Sequence, residues 1–147
     1  MTVTRRHLNK GLGLALVVGT LGAPAVLRAQ TKGRVVVVGG GAGGATVAKY
    51  VARDSKGALD VTLIQEAPNY TTCFYSNLYL GGLRTFDSIT HGYATMSEKY
   101  GVKAVFKRAQ EVDTAAKRVK LADGAILEYD VLVVAPGIEM IYDSIAG

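Results

Sequence analysis

The feature that most constrains the fold is a glycine-rich loop between a strand and a helix. Residues 35–38 are four consecutive valines, which is typical of a strand buried on both faces of a parallel sheet. They lead into a loop in which Gly39, Gly41 and Gly44 fill the pattern G-x-G-x-x-G. Residues 45–53 follow with Ala and Val at helical spacing and without Pro or Gly. This order predicts the first βα unit of a dinucleotide-binding fold.

The three glycines have separate predicted tasks. Gly39 makes the tight turn, Gly41 lets the backbone approach a diphosphate, and Gly44 lets the helix pack closely on the strand. The diphosphate is expected against the helix N-terminus, where free N–H groups and the helix dipole favour negative charge. Ala42 and Gly43, inside the loop, are therefore also predicted cofactor contacts.

A second predicted strand, residues 61–64, ends at Gln65 and Glu66. A carboxylate at this strand end can accept hydrogen bonds from the ribose hydroxyls of the adenosine half. Glu66 is the favoured ribose ligand and Gln65 the second candidate. The alternative is that Glu66 is a solvated loop carboxylate.

The chain then departs from the repeating βα units of an NAD-binding half. After a strand at 102–106, the segments 109–113, 118–122 and 125–129 alternate like an antiparallel meander. The dipeptide Asp123-Gly124 predicts a two-residue hairpin within it. The fold class predicted is α/β, a Rossmann-like domain with a parallel sheet plus a three-stranded β-meander, incomplete at 147 residues.

A last predicted strand, residues 131–134, runs into Ala135, Pro136 and Gly137. This order of units resembles the two-dinucleotide-domain flavoproteins of the glutathione-reductase-like class. The resemblance implies FAD as cofactor, with Ala135, Pro136 and Gly137 in a loop that returns to it. Ala109, at the start of the meander, is assigned to the cofactor as well.

The tract at 70–77, YTTCFYSN, with the glycines at 81–82 and the segment 88–93, narrows the family. It closely resembles the flavoprotein subunit of flavocytochrome c sulfide dehydrogenase. The resemblance implies that Cys73 carries FAD through a thioether to the 8α-methyl group, with Asn77 as a further cofactor contact. From the residues alone, a lone cysteine is also a small buried hydrophobe.

The same resemblance implies sulfide as substrate and a c-type cytochrome subunit as partner. The redox-active cysteine pair of that family would lie beyond Gly147, so the catalytic residues are unknown and the chain is expected to be an N-terminal fragment. One departure is Gln65, since the family has a carboxylate directly after the second strand. Rival interpretations are a sulfide:quinone or NADH:quinone reductase and a non-catalytic flavin-binding module.

Residues 1–29 are predicted to be a twin-arginine signal peptide, with residues 30–147 as the FAD-binding domain. Arg5-Arg6 and Lys10 precede an apolar stretch at 11–22 that is shorter than the ~20 residues of a membrane span. Cleavage after Ala25 and cleavage after Ala29 both remain open. The interpretation predicts a periplasmic protein with no permanent membrane span; the alternative is an amphipathic helix of the mature fold.

The net charge of +5 does not indicate a nucleic-acid partner. Four of the 17 basic residues lie in the acid-free stretch before Gln30, so the remainder is nearly neutral against 12 acidic residues. One cysteine and two histidines make an internal disulfide impossible here and a metal site unexpected. His91 is interpreted as a helix-start or packing residue, with a proton shuttle as the alternative.

Overall fold

A computed structural model describes residues 32–138 and 141, so the predicted signal peptide lies outside the described residues. The elements follow in chain order: β1 (Gly33–Val38), α1 (Ala42–Asp54), β2 (Leu59–Gln65), β3 (Asn69–Thr71), α2 (Ser76–Leu80), a 3₁₀ turn (Phe86–Ile89), β4 (Thr90–Gly92), α3 (Ala94–Tyr100), β5 (Lys103–Phe106), β6 (Ala109–Asp113), β7 (Arg118–Leu121), β8 (Ile126–Glu128) and β9 (Val131–Val134).

Four of the strands form a parallel sheet in the order β5-β2-β1-β9. The central strand β1 pairs with β2 on one side and with β9 on the other, so that Val37 lies between Leu63 and Val133. The strands β6, β7 and β8 form a separate antiparallel sheet. The predicted fold class, a Rossmann-like sheet with a three-stranded meander, is confirmed.

The alternating valines of β1 explain why this strand lies at the centre. Val35 and Val37 belong to a core that includes Ala48 and Ala52 of α1, whereas Val36 belongs to a second core with Val119 of the meander. Successive side chains of a strand point to opposite faces, so one run of valines fills both cores. Burial on both faces was predicted for this strand.

Two boundaries differ from the sequence-based expectations. Helix α1 begins at Ala42, because the glycines at 43 and 44 form its first turn. The predicted two-residue hairpin is wrong: Leu121 N–H donates to the Ala125 carbonyl oxygen at 2.8 Å, leaving three residues in the loop. Gly124 adopts the left-handed conformation with φ 86°, which the last position of such a three-residue loop favours.

An ion-pair cluster joins the start of β1 to the end of the meander. The Arg34 guanidinium lies 2.7 Å from Glu128 Oε2 and 3.2 Å from Asp130 Oδ1, and the Arg34 N–H donates to Asp130 Oδ2 at 2.7 Å. Hydrogen bonds from Arg34 lower the pKa of both carboxyl groups, and the same contacts raise the pKa of Arg34. All three side chains are close to half exposed.

Candidate dinucleotide-binding site

The glycine loop leaves β1 at the edge where the parallel strands end. Gly39 has φ 98°, a left-handed conformation that L side chains rarely adopt. A Cβ on Gly39 would lie less than 3.0 Å from the Ala135 carbonyl oxygen, and one on Gly44 less than 3.0 Å from the Gly39 carbonyl oxygen. The turn and the close packing predicted for these glycines are therefore steric requirements of the loop.

Gly41 and Gly43 face more open space. The nearest atom to a Cβ on Gly41 would be Tyr70 Cε2 at 3.8 Å, and nothing lies within 4 Å of one on Gly43. Gly41 is the N-cap of α1 without a side-chain capping bond, and the first turn contains no acidic residue. The N–H groups at the start of α1 are thus not capped by a side chain, which suits an anion.

Gly40, the second glycine of the loop, is buried and hydrogen-bonded on both sides. Its N–H donates to Gln65 Oε1 at 2.7 Å, and its carbonyl oxygen accepts from the Tyr93 hydroxyl at 2.7 Å. Tyr93 is 4% exposed, and burial raises the pKa of its hydroxyl group, with the neighbouring Tyr70 adding to the shift. The Tyr93 hydroxyl therefore stays protonated and able to donate at neutral pH.

A cavity of about 580 Å³ opens beside the loop at the ends of β1 and β2. It brings together six residues predicted to contact the cofactor: Gly39, Gln65, Glu66, Ala109, Pro136 and Gly137. Glu66 is exposed, whereas the Gln65 side chain turns inward to Gly40. Ala135 adjoins the cavity lining and extends the ladder, since its N–H donates to the Val38 carbonyl oxygen at 2.8 Å.

A second cavity of about 490 Å³ lies along the other side of the α1 N-terminal turns. Ala42, one of the predicted cofactor contacts, lines this cavity together with aromatic side chains from residues 70–93. Its lining includes Ala45, Thr46, Tyr70, Thr72, Phe74, Tyr75, His91 and Tyr93. Lys49 and Arg84 bring positive charge to this lining of mainly aromatic and small side chains.

Cys73 is exposed and sits between two residues that line the second cavity, Thr72 and Phe74. Thr72 is buried, and its Oγ1 accepts from the Tyr70 hydroxyl at 2.9 Å and from the Phe74 N–H at 3.2 Å. Two residues further on, Tyr75 takes a left-handed conformation with φ 65°. Thr72 thus anchors the backbone next to the Cys73 thiol.

The structure also places the other residues of interest in this segment, and it corrects the interpretation of His91. Helix α2 begins at Ser76, so Cys73 precedes the helix, and the Ser76 N–H donates to the Cys73 carbonyl oxygen at 3.2 Å. Asn77 is exposed in the first turn of α2. His91 is neither a helix-start nor a packing residue: it lies in β4, exposed, opposite Tyr70 and on the second cavity.

Sequence reasoning missed the contacts of Gly40, Tyr93 and Thr72. Tyr93 lies 53 positions from Gly40 in the chain, and no periodicity links the two. A signal was available for Gly40, because the pattern G-x-G-x-x-G does not require a glycine there and one is present.

A parallel sheet with a glycine loop at the end of its central strand, joined to an antiparallel meander, defines the class of FAD- and NAD-dependent oxidoreductases. Residues 33–147 match the family described as pyridine nucleotide-disulphide oxidoreductase, and the chain belongs to that family. Members of this family bind FAD.

Two curated relatives concern sulfide. The chain is 33% identical over 109 residues to the sulfide-quinone reductase of Aquifex aeolicus, covering 74% of this chain and 25% of that one. It is 50% identical over 44 residues to the sulfide dehydrogenase [flavocytochrome c] flavoprotein chain of Chlorobaculum thiosulfatiphilum, covering 30% of this chain and 90% of that sequence. The chain thus spans about a quarter of the length of the first relative.

The solved structure of the sulfide:quinone oxidoreductase from Aquifex aeolicus is also similar. It aligns with a TM-score of 0.65 and 30% sequence identity over 75% of this chain and 25% of that one. Within residues 32–138 and 141, none of the helices has both the length and the apolar character needed to cross a membrane.

Proposed function

We propose that this chain is the FAD-binding part of the flavoprotein subunit of a sulfide dehydrogenase that passes electrons from sulfide through FAD to a c-type cytochrome. The observation that carries the proposal is the position of Cys73, between two residues that line a cavity along the first turns of α1, the helix that follows the glycine loop. The 50% identity over 44 residues to a flavocytochrome c flavoprotein chain supports it.

The described residues fit an FAD molecule in chemical terms. The uncapped start of α1 suits the diphosphate, because its N–H groups and the helix dipole favour negative charge. The exposed carboxylate of Glu66 suits the ribose hydroxyls, which donate hydrogen bonds. We assign the remaining contacts to Gly39, Gly41, Ala42, Gly43, Gly44, Asn77, Ala109, Ala135, Pro136 and Gly137.

Cys73 is proposed to hold the flavin covalently. Formation of the thioether would replace the Cys73 S–H and one C–H of the 8α-methyl group by an S–C bond; the two protons and two electrons released would reduce the flavin ring, which the electron acceptor would reoxidise. Thr72 contributes by fixing the backbone on one side of the thiol through hydrogen bonds to Tyr70 and Phe74. The exposed thiol is open to a ligand approaching over Phe74.

The sulfide-oxidising residues are not assigned to this chain, which spans about a quarter of the sulfide-quinone reductase that it resembles, and the cytochrome is proposed as a separate subunit. Export by the twin-arginine route to the periplasm is part of the proposal, supported by the arginine pair Arg5-Arg6 and the short apolar stretch after it. A covalent flavin suits that location, because a cofactor lost outside the cytoplasm is not readily replaced.

The decisive experiment is to produce the full-length protein through its export route, denature it and look for flavin fluorescence on the polypeptide band. We expect the band to fluoresce, and Cys73→Ser to release all flavin into the supernatant. Ser76→Ala, three residues further on, is the matched control and should keep the flavin bound. Release of all flavin from the unmodified protein would remove the Cys73 assignment, and absence of any flavin would remove the proposed function.

A sulfide:quinone reductase is the second candidate, favoured by the 33% identity over 109 residues to such an enzyme. The two functions differ in the electron acceptor. Sulfide-dependent reduction of added cytochrome c, without reduction of a soluble quinone, is the result we expect. Reduction of the quinone alone would favour the second candidate, NADH as donor would favour an NADH:quinone reductase, and no flavin reduction by either donor would favour a non-catalytic module.

A further inference from the structure

We propose that Gln65 and Tyr93 are positioning residues that preset the dinucleotide-binding loop by holding the two peptide groups on either side of Gly40. The inference rests on the proposed binding of FAD at this loop. It assigns a role to Gly40, Gln65 and Tyr93, none of which the G-x-G-x-x-G pattern specifies.

Gln65 fixes the first of these peptide groups. The Gly40 N–H, which donates to Gln65 Oε1 at 2.7 Å, shares a planar trans peptide with the Gly39 carbonyl. The two groups point in opposite directions, so the Gly39 carbonyl oxygen is directed to the side where Gly44 packs. Gln65 thereby holds the contact that excludes every residue except glycine at position 44.

Tyr93 fixes the second peptide group. The Gly40 carbonyl oxygen, which accepts from the Tyr93 hydroxyl at 2.7 Å, shares its peptide plane with the Gly41 N–H. Because the carbonyl points at Tyr93, the Gly41 N–H points away from it. The direction of this N–H, at the N-cap of α1, is therefore set before any ligand arrives.

Burial makes both contacts effective. Tyr93 is 4% exposed and belongs to the core that contains Val37 and Leu63. A Cβ on Gly40 would lie 2.5 Å from the Tyr93 hydroxyl oxygen and 3.0 Å from Gln65 Cβ, so there is no room for a side chain at this position. Donors already oriented in the free protein bind an anion without a further ordering cost.

The same geometry bears on the choice of ribose ligand. The Gln65 side-chain oxygen accepts from the Gly40 N–H, which turns it toward the loop and leaves one lone pair, and the amide NH₂ only donates. Glu66, the next residue and an exposed carboxylate on the same cavity, offers more acceptor sites and is the better acceptor for ribose hydroxyls.

The test uses the full-length protein with Cys73→Ser. This variant cannot form the thioether, so its flavin binding is reversible. We expect Tyr93→Phe and Gln65→Leu each to weaken FAD and ADP binding about two- to tenfold, the effect of losing one hydrogen bond. Binding of adenosine, which lacks the diphosphate, should be unchanged. A merely structural role would weaken adenosine and ADP equally, and that result would overturn the inference.

Two variants serve as controls. Gln65→Glu keeps an acceptor oxygen and should keep amide exchange at Gly40 as slow as in the parent, and Tyr100→Phe, at the other end of α3 and on the same core, should bind ADP as the parent does. Amide hydrogen exchange at Gly40 is a readout that needs no ligand, and Gln65→Leu should speed it. Unchanged exchange would overturn the proposed clamp, by which Gln65 and Tyr93 hold the two peptide groups on either side of Gly40. If the parent binds neither FAD nor ADP, the proposed function fails, and the exchange rate still decides the clamp.

Discussion

The parallel sheet with its glycine loop and the segment 69–92 around Cys73 are built in opposite ways. Val37 and Leu63 in the sheet are 0% exposed, whereas Leu80 and Leu83 in the Cys73 segment are 81% and 77% exposed. Contacts within the chain fix the first region, and the second presents apolar surface outward. The comparison teaches that the N–H groups proposed for the diphosphate and the Cys73 thiol proposed for the flavin come from regions that differ in how far they are buried within the chain.

Placing a methyl group at Gly44 is the strongest way to challenge this comparison. Gly44→Ala puts a Cβ less than 3.0 Å from the backbone oxygen of Gly39, which cannot move without opening the loop. We expect a loss of about 3 kcal/mol or more in the free energy of unfolding, measured in urea. Gly43→Ala is the matched control: with nothing within 4 Å it should be neutral or stabilising by up to about 1 kcal/mol. Equal effects of the two would contradict the steric account.

Truncation of a leucine in each region compares their packing directly. Leu63→Ala should destabilise the protein by about 2–5 kcal/mol, since it leaves a cavity in a fully buried site. Leu83→Ala should change the free energy of unfolding by less than about 0.5 kcal/mol. A large loss for Leu83→Ala would mean that the Cys73 segment is packed against the rest of the protein, and the comparison would have to be abandoned.

The anchor beside Cys73 is tested by Thr72→Val, which keeps the shape and removes the hydroxyl. The variant leaves the Tyr70 hydroxyl and the Phe74 N–H without their partner, and we expect a cost of about 1–2 kcal/mol. Faster amide exchange at Phe74 should accompany it. The exposed hydroxyl of Thr71 hydrogen-bonds with Thr90. Thr71→Val should therefore lower the free energy of unfolding by less than Thr72→Val does.

The smallest expected effect concerns pH and the Arg34 cluster in the sheet region. Because the pKa values of Glu128 and Asp130 are lowered in the folded state, their contribution to the free energy of unfolding is complete above the ordinary carboxyl pKa of about 4. It is lost as the pH falls through the lowered values. Arg34→Met should flatten this acid dependence in urea titrations, whereas Lys103→Met, which removes a longer pair to Asp60, should not.

The sequence was sufficient for the parts of the fold that follow local rules. Valine runs, turn residues and the G-x-G-x-x-G spacing predicted the strands β1, β2 and β9, the helix α1 and the meander. The clamp on Gly40 could not be predicted, because Gln65 and Tyr93 come from 25 and 53 positions away. The position of His91 in a strand was missed because a three-residue strand such as β4 carries too few residues to show a period of two.

The position of β9 beside β1 has a consequence for the order of assembly. Ala135 directly follows β9, the last described strand. Its N–H donates to the Val38 carbonyl oxygen, and its own carbonyl oxygen lies against Gly39. Synthesis runs from the N-terminus, so the glycine loop leaves the ribosome long before this strand does. One wall of the binding loop is missing until then. Under the proposed function, the cofactor meets a complete loop only after this strand has been made, and a ribosome stalled before residue 131 would display a loop that is present in sequence and incomplete in shape.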